Sequence, residues 1–247
     1  MTHYAGLVAG YGAAIAVFWI AWFCAPNLKR WLGGVRKPAA RPWLEFALLL
    51  AAAAGVVAMG QLYVADLLAP DRGEVLQSLN QLIIFSPLIA VLIWRGAPAL
   101  IAGLPIRGAP AGLALGVGLA GTALAAYGLA RGWTSLDPAA TIFTADNLSY
   151  GVQVLLQDVA IAALLARLAD AAGWRIALVA VAILFQLAHI PPFLAGGAEL
   201  ADLASLVIDT GIGLAVFGAV VASRSIWWFW PLHTVMDLAQ FTRAAPG

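Results

Sequence analysis

Several ionisable side chains lie inside stretches that are otherwise apolar. The segment VQVLLQDVAIAALL carries Gln153, Gln157 and Asp158; AVAILFQLAHIPPF carries Phe185 and, four residues on, His189. LASLVIDTGIGLAVF contains Asp209 and Thr210, and WWFWPLHTVMDLAQF contains His233 and Asp237. An ionisable group at the centre of a bilayer costs roughly 2.5 to 3.5 kcal/mol on insertion scales, so each is by default a candidate site residue. A spacing of four on a helix puts His233 and Asp237 on one face, and Gln153 and Gln157 on another. Imidazole beside carboxylate is the pairing of general acid-base catalysis. The same donors suit zinc, which would use His189, His233 and Asp158. Against this stands a plainer reading, in which a His or Asp near a helix end is a wet interfacial residue. Gln61, Asn80, Gln81 and Gln240 read as interhelical hydrogen-bonding groups.

The elements that hold these residues follow from composition. The chain has 247 residues, 63% hydrophobic and only 10% charged, with a mean hydropathy of +0.93; soluble domains carry about 25% charged residues. A soluble fold is excluded. A membrane helix needs about 20 mostly apolar residues, which gives eight expected spans near 4–25, 44–69, 76–95, 110–130, 150–169, 174–192, 201–222 and 226–242. The expected fold is an all-α, polytopic membrane bundle, with residues 1–247 as a single transmembrane domain. The first stretch reads as a retained helix rather than a cleavable signal, because Trp19, Trp22 and Phe23 stand where small cleavage-site residues are needed. Residues 131–149 form the longest stretch between spans and suit a lid or an interfacial helix. Gly112, Gly116 and Gly118, and Gly211, Gly213 and Gly218, read as small-residue helix packing. The run Trp227, Trp228, Phe229 and Trp230 reads as an aromatic belt at a membrane interface.

Lys29, Arg30, Arg36, Lys37 and Arg41 cluster after the first span, which places that loop in the cytoplasm and the N-terminus outside. Alternation through eight spans keeps Arg95, Arg107, Arg167, Arg175 and Arg224 inside and leaves Arg72, Arg131 and Arg243 outside; the C-terminus is then outside too. The net charge of +1 offers no basic footprint for nucleic acid. The single cysteine, Cys24, excludes an internal disulfide.

Residues 150–242 resemble the CPBP family (CAAX proteases and bacteriocin-processing enzymes, also called Abi), whose pattern is EExxxR, then FxxxH, then HxxxN or HxxxD. FQLAH at Phe185 to His189 and HTVMD at His233 to Asp237 match the second and third motifs, in order. The stretch GLAVFGAVVASRSIWWFWPLHTVMDL is also similar to the family's final hairpin. In the first motif Gln157 and Asp158 stand opposite the Glu pair, and Ala162 opposite the Arg. The resemblance implies an eight-helix core in a bacterial inner membrane. It also implies an intramembrane endopeptidase in which the first acid and the FxxxH histidine activate water while the last motif stabilises the oxyanion. Carried over, Asp158 with His189 activates the water, His233 donates to the oxyanion and Asp237 orients His233. Gln157 cannot act as the base, since an amide does not accept a proton at neutral pH. Asp209 is a second candidate to replace it.

Two functional readings follow. One is a divergent intramembrane endopeptidase with no cofactor and no metal, acting on a membrane protein substrate. The other is a catalytically inactive pseudoprotease that serves as a structural subunit, assembly factor or binding partner in a larger membrane complex. A transporter is disfavoured because no pair of related, broken helices is evident.

Overall fold

The computed structural model describes residues 2–32, 38–65, 67, 73–96, 104, 106–135, 137–195 and 205–241, and among them there is no β-strand. Among the described residues ten helices of at least seven residues follow one another: α1 Thr2–Cys24, α2 Pro26–Leu32, α3 Pro42–Val64, α4 Glu74–Ile84, α5 Ser86–Arg95, α6 Ala109–Arg131, α7 Leu148–Ala172, α8 Trp174–Ala195, α9 Ser205–Ser223 and α10 Phe229–Phe241. Arg36, Lys37, Arg72 and Arg243 lie outside the described residues.

Six of these helices are long and apolar enough to cross a membrane, and a seventh span is formed if α4 and α5 are taken together. Two features account for the difference from the eight spans expected. The axes of α4 and α5 meet at 62°, where Pro87 enters the first turn of α5; proline lacks the N–H and its ring clashes with the carbonyl four residues back. The bend is invisible to hydropathy because Ser86 and Pro87 sit between two apolar runs, 82–85 and 88–91. The last helix, α10, has 13 residues, about 20 Å at 1.5 Å per residue, against a hydrocarbon core of about 30 Å.

The end of α9 leads into α10 through a turn that buries Trp228, so the expectation of an interfacial Trp belt at 227–230 is corrected. Trp228 is fully buried, stacks on Phe18 at 4.5 Å and donates from Nε1 to Ser223 Oγ at 2.8 Å. Trp230 Nε1 donates to the Gly151 carbonyl at 2.9 Å. The exposed tryptophans are instead Trp31, Trp43, Trp94 and Trp174. Arg95 and Arg175 lie over the rings of Trp94 and Trp174, an arrangement that suits the headgroup region.

The close approach of α6 and the start of α10 depends on glycine. A Cβ on Gly112 would lie 2.6 Å from the Trp227 Cβ, and one on Gly116 would lie 2.5 Å from the Trp228 carbonyl oxygen. Gly10 on α1 is similarly closed, 2.5 Å from Met236 Cε. Gly118, Gly211 and Gly218 face open space and Gly213 meets only ordinary contacts, so close small-residue packing holds for Gly112 and Gly116, two of the six glycines named from sequence.

One end of the bundle is tied by a charge cluster. Arg167 of α7, 2% exposed, holds Glu45 at 2.6 Å and Asp170 at 3.3 Å. Glu45 also takes Arg95 at 3.1 Å, and Asp170 accepts the Ala39 N–H at 3.2 Å. The start of α3, the end of α5 and the end of α7 therefore lie at one end, in agreement with the alternation that put Arg95 and Arg167 on one side. Between α6 and α7, residues 137–147 fold as short helical turns rather than a single helix. They pack down through Ile142, which is buried, with Asn147 Nδ2 donating to the carbonyls of Thr141 and Ile142.

Candidate functional site

The site is built from α7 outward. Asp158 sits midway along α7 with 0% exposure, and its Oδ1 lies 2.8 Å from Nδ1 of His233 on α10. An ionised carboxylate only accepts, so Nδ1 donates, and in the neutral ring the lone pair then resides on Nε2. That nitrogen is 3.6 Å from Asp237 Oδ1, one turn further along α10. Gln240 Nε2 donates to the same Asp237 oxygen at 3.3 Å.

The second imidazole is oriented by its own helix. His189 Nδ1 is 2.7 Å from the Phe185 carbonyl oxygen; a carbonyl only accepts, so Nδ1 carries the hydrogen and Nε2 is left for another partner. The Phe185 ring neighbours both imidazoles, 4.6 Å from His189 and 6.1 Å from His233 by ring centroids. Phe229 stacks on His233 at 4.8 Å with planes 12° apart. Two aromatic rings thus hold the imidazoles in place, which gives the phenylalanine of FQLAH a physical role.

Both histidines open onto a cavity of about 270 Å³ between α1, α8, α9 and α10. Its polar wall consists of Tyr4 and Tyr11 from α1, Gln186 and His189 from α8, Asp209 from α9, and His233, Asp237 and Gln240 from α10. The helix ends around it, namely the start of α1, the end of α8, the start of α9 and the end of α10, lie away from the Glu45–Arg167 cluster. Arg167 is nine residues beyond Asp158 on α7, about 13 Å along the axis.

Of the residues singled out from sequence, His189, His233, Asp237 and Asp209 line one cavity, and Asp158 stands directly behind His233. Two details differ from expectation. Asp158 bonds His233, so its contact with the cavity runs through that ring rather than through a water shared with His189. Gln157 does not reach the cavity wall: one position along α7 is a 100° rotation, and its Oε1 is buried without a hydrogen-bond partner. Ala162 is buried core, and the nearby Arg167 is committed to Glu45 and Asp170, so Arg167 does not take the place of the motif's arginine. Among the described residues no group of three or more His, Cys, Asp or Glu is arranged to hold a metal ion.

Sequence reasoning missed Gln186 and the α1 tyrosines. Gln186 is three residues before His189, a spacing that puts both on one helix face, and was legible in FQLAH itself. Tyr11 had no such signal, because only packing brings α1 against α10.

No protein-family model, curated protein or solved structure matches this chain.

Proposed function

We propose that this chain is an intramembrane hydrolase of the CPBP type, cleaving a peptide bond in a membrane protein, with His233 rather than a glutamate as its base. The observation that carries this reading is the 2.8 Å contact of Asp158 Oδ1 with His233 Nδ1, behind a cavity onto which His233 opens. A buried carboxylate on one ring nitrogen fixes the tautomer, raises the basicity of the other and stabilises the imidazolium once formed. A water at His233 Nε2 gives its proton to that nitrogen as its oxygen attacks the carbonyl carbon, and the proton then passes to the leaving amine. His189 Nε2 is the second partner for the water. Relative to the family pattern, His233 takes over the base and Asp158 becomes a positioning residue. General-base help of this kind is worth about 10² to 10⁴ in rate, which offsets the loss of the first glutamate. The N-terminus and the cavity face the outer side of a bacterial inner membrane; Lys29, Arg30, Arg41 and Arg175 at the opposite end support that orientation.

The test needs no substrate in advance. Membranes containing the wild-type chain or its His233→Ala variant are compared for new protein N-termini. Termini inside or beside membrane spans that vanish with His233→Ala support the reading; identical sets of termini overturn it. Gln157 and Ala162, which replace the motif's acid and arginine, favour the competing pseudoprotease in a membrane complex. That reading requires a stoichiometric partner retained by His189→Ala and His233→Ala alike.

A further inference from the structure

Asp209 enters the cavity from α9 and makes no ion pair or hydrogen bond among the described residues. Its neighbour gives it nothing, since Thr210 Oγ1 donates back to the Leu206 carbonyl at 2.6 Å. The cavity wall contains no lysine or arginine. Asp237 adds a second carboxylate, 3.6 Å from His233 Nε2, and Asp158 a third behind that ring, so three carboxylates stand against two imidazoles. Carboxylates within a membrane are normally paired; His233 is shared between Asp158 and Asp237, and Asp209 has no lysine or arginine beside it in the cavity. A second observation points to the same missing partner. Gln186 is 8% exposed, lines the cavity, and its amide has no hydrogen-bond partner among the described residues. Tyr4, Tyr11 and Phe217 also line the cavity, and aromatic rings attract organic cations.

We propose that this cavity receives an organic cation, an ammonium or guanidinium group, held by Asp209 and Asp237 with the Gln186 carbonyl as a further acceptor. This deepens the hydrolase reading and rests on it for the source: the cation is a lysine or arginine side chain next to the scissile bond. The size agrees, because about 270 Å³ lies just below the ~300 Å³ at which small-molecule sites begin, room for one long side chain.

The test is isothermal titration of the detergent-solubilised full chain with acetyl-lysine methylamide and acetyl-arginine methylamide, against the uncharged acetyl-norleucine methylamide. Preference for the cations of at least about tenfold is expected, the usual worth of a charged hydrogen bond. Asp209→Asn should erase the preference and Asp209→Glu should keep it. Equal binding of all three amides by the wild type overturns the proposal whether or not the variants fold, as does a preference that survives Asp209→Asn. Phosphoethanolamine is the parallel arm: binding of it but not of the amides assigns the cation to a lipid headgroup and overturns the peptide source. A cation preference without His233-dependent cleavage leaves this site standing and removes the hydrolase, while His233-dependent cleavage without a preference does the reverse.

Discussion

Asp158 and His233, 75 positions apart in the chain, share a 2.8 Å hydrogen bond in the middle of the bundle. Asp158 is fully buried, and His233 lines a cavity on the other side of the pair.

Asp158→Asn keeps the shape but no longer enforces a donating Nδ1, so it should lower His233-dependent cleavage by roughly 10² to 10⁴ while the protein remains folded. The rate at which the termini found in the comparison above appear is the readout. Unchanged cleavage by Asp158→Asn would remove the dyad from the mechanism.

Phe185→Leu retains apolar bulk but removes the ring that touches both imidazoles. Thermal stability should fall by about 1 to 2 kcal/mol, as for the loss of a few buried carbons from a half-buried side chain, while cleavage falls far more. A parallel drop in stability and activity would reduce Phe185 to core filling.

Gly116→Ala and Gly118→Ala form a matched pair on α6. The first drives a methyl group to 2.5 Å from the Trp228 carbonyl oxygen and should cost about 1 to 3 kcal/mol through overpacking. The second points into open space and should be neutral. Midpoints of thermal unfolding in one detergent, compared side by side, decide it; equal midpoints would mean that α6 and α10 do not approach as described.

Arg167→Ala removes the fully buried cation shared by the partly buried Glu45 and Asp170; Glu45 keeps Arg95, so the cost should fall at or below the lower end of the about 3 to 5 kcal/mol for breaking a buried pair. Arg95→Ala should cost far less, since Arg95 is 32% exposed and its pair is screened. Expression and unfolding midpoints of the two variants would rank them, and the reverse order would refute the clamp.

Sidedness is measurable through cysteine labelling in a Cys24→Ala background. Arg41→Cys and Arg175→Cys should react from one face of the membrane and Thr134→Cys from the other, with Arg41 and Arg175 on the cytoplasmic side. Reaction of all three from the same face would break the alternation of spans.

Composition and hydropathy determined that the chain is helical and membrane-embedded, because lipid tolerates no unpaired backbone and few charges. They also located His189, Asp209, His233 and Asp237, since a polar residue in an apolar run needs a reason that sequence alone displays. The bend at Pro87, the short α10 and the burial of Trp228 were not legible: a hydropathy window sums residues and does not record direction or packing. Pairing was decided by tertiary structure as well. Motif logic joined Asp158 to His189, but the rotation of α7 aims Asp158 at His233 and turns Gln157 away. Whether two side chains on separate helices meet depends on the crossing and rotation of those helices. Side-chain shape along the whole interface sets both, including the glycines at 10, 112 and 116 that let the helices close.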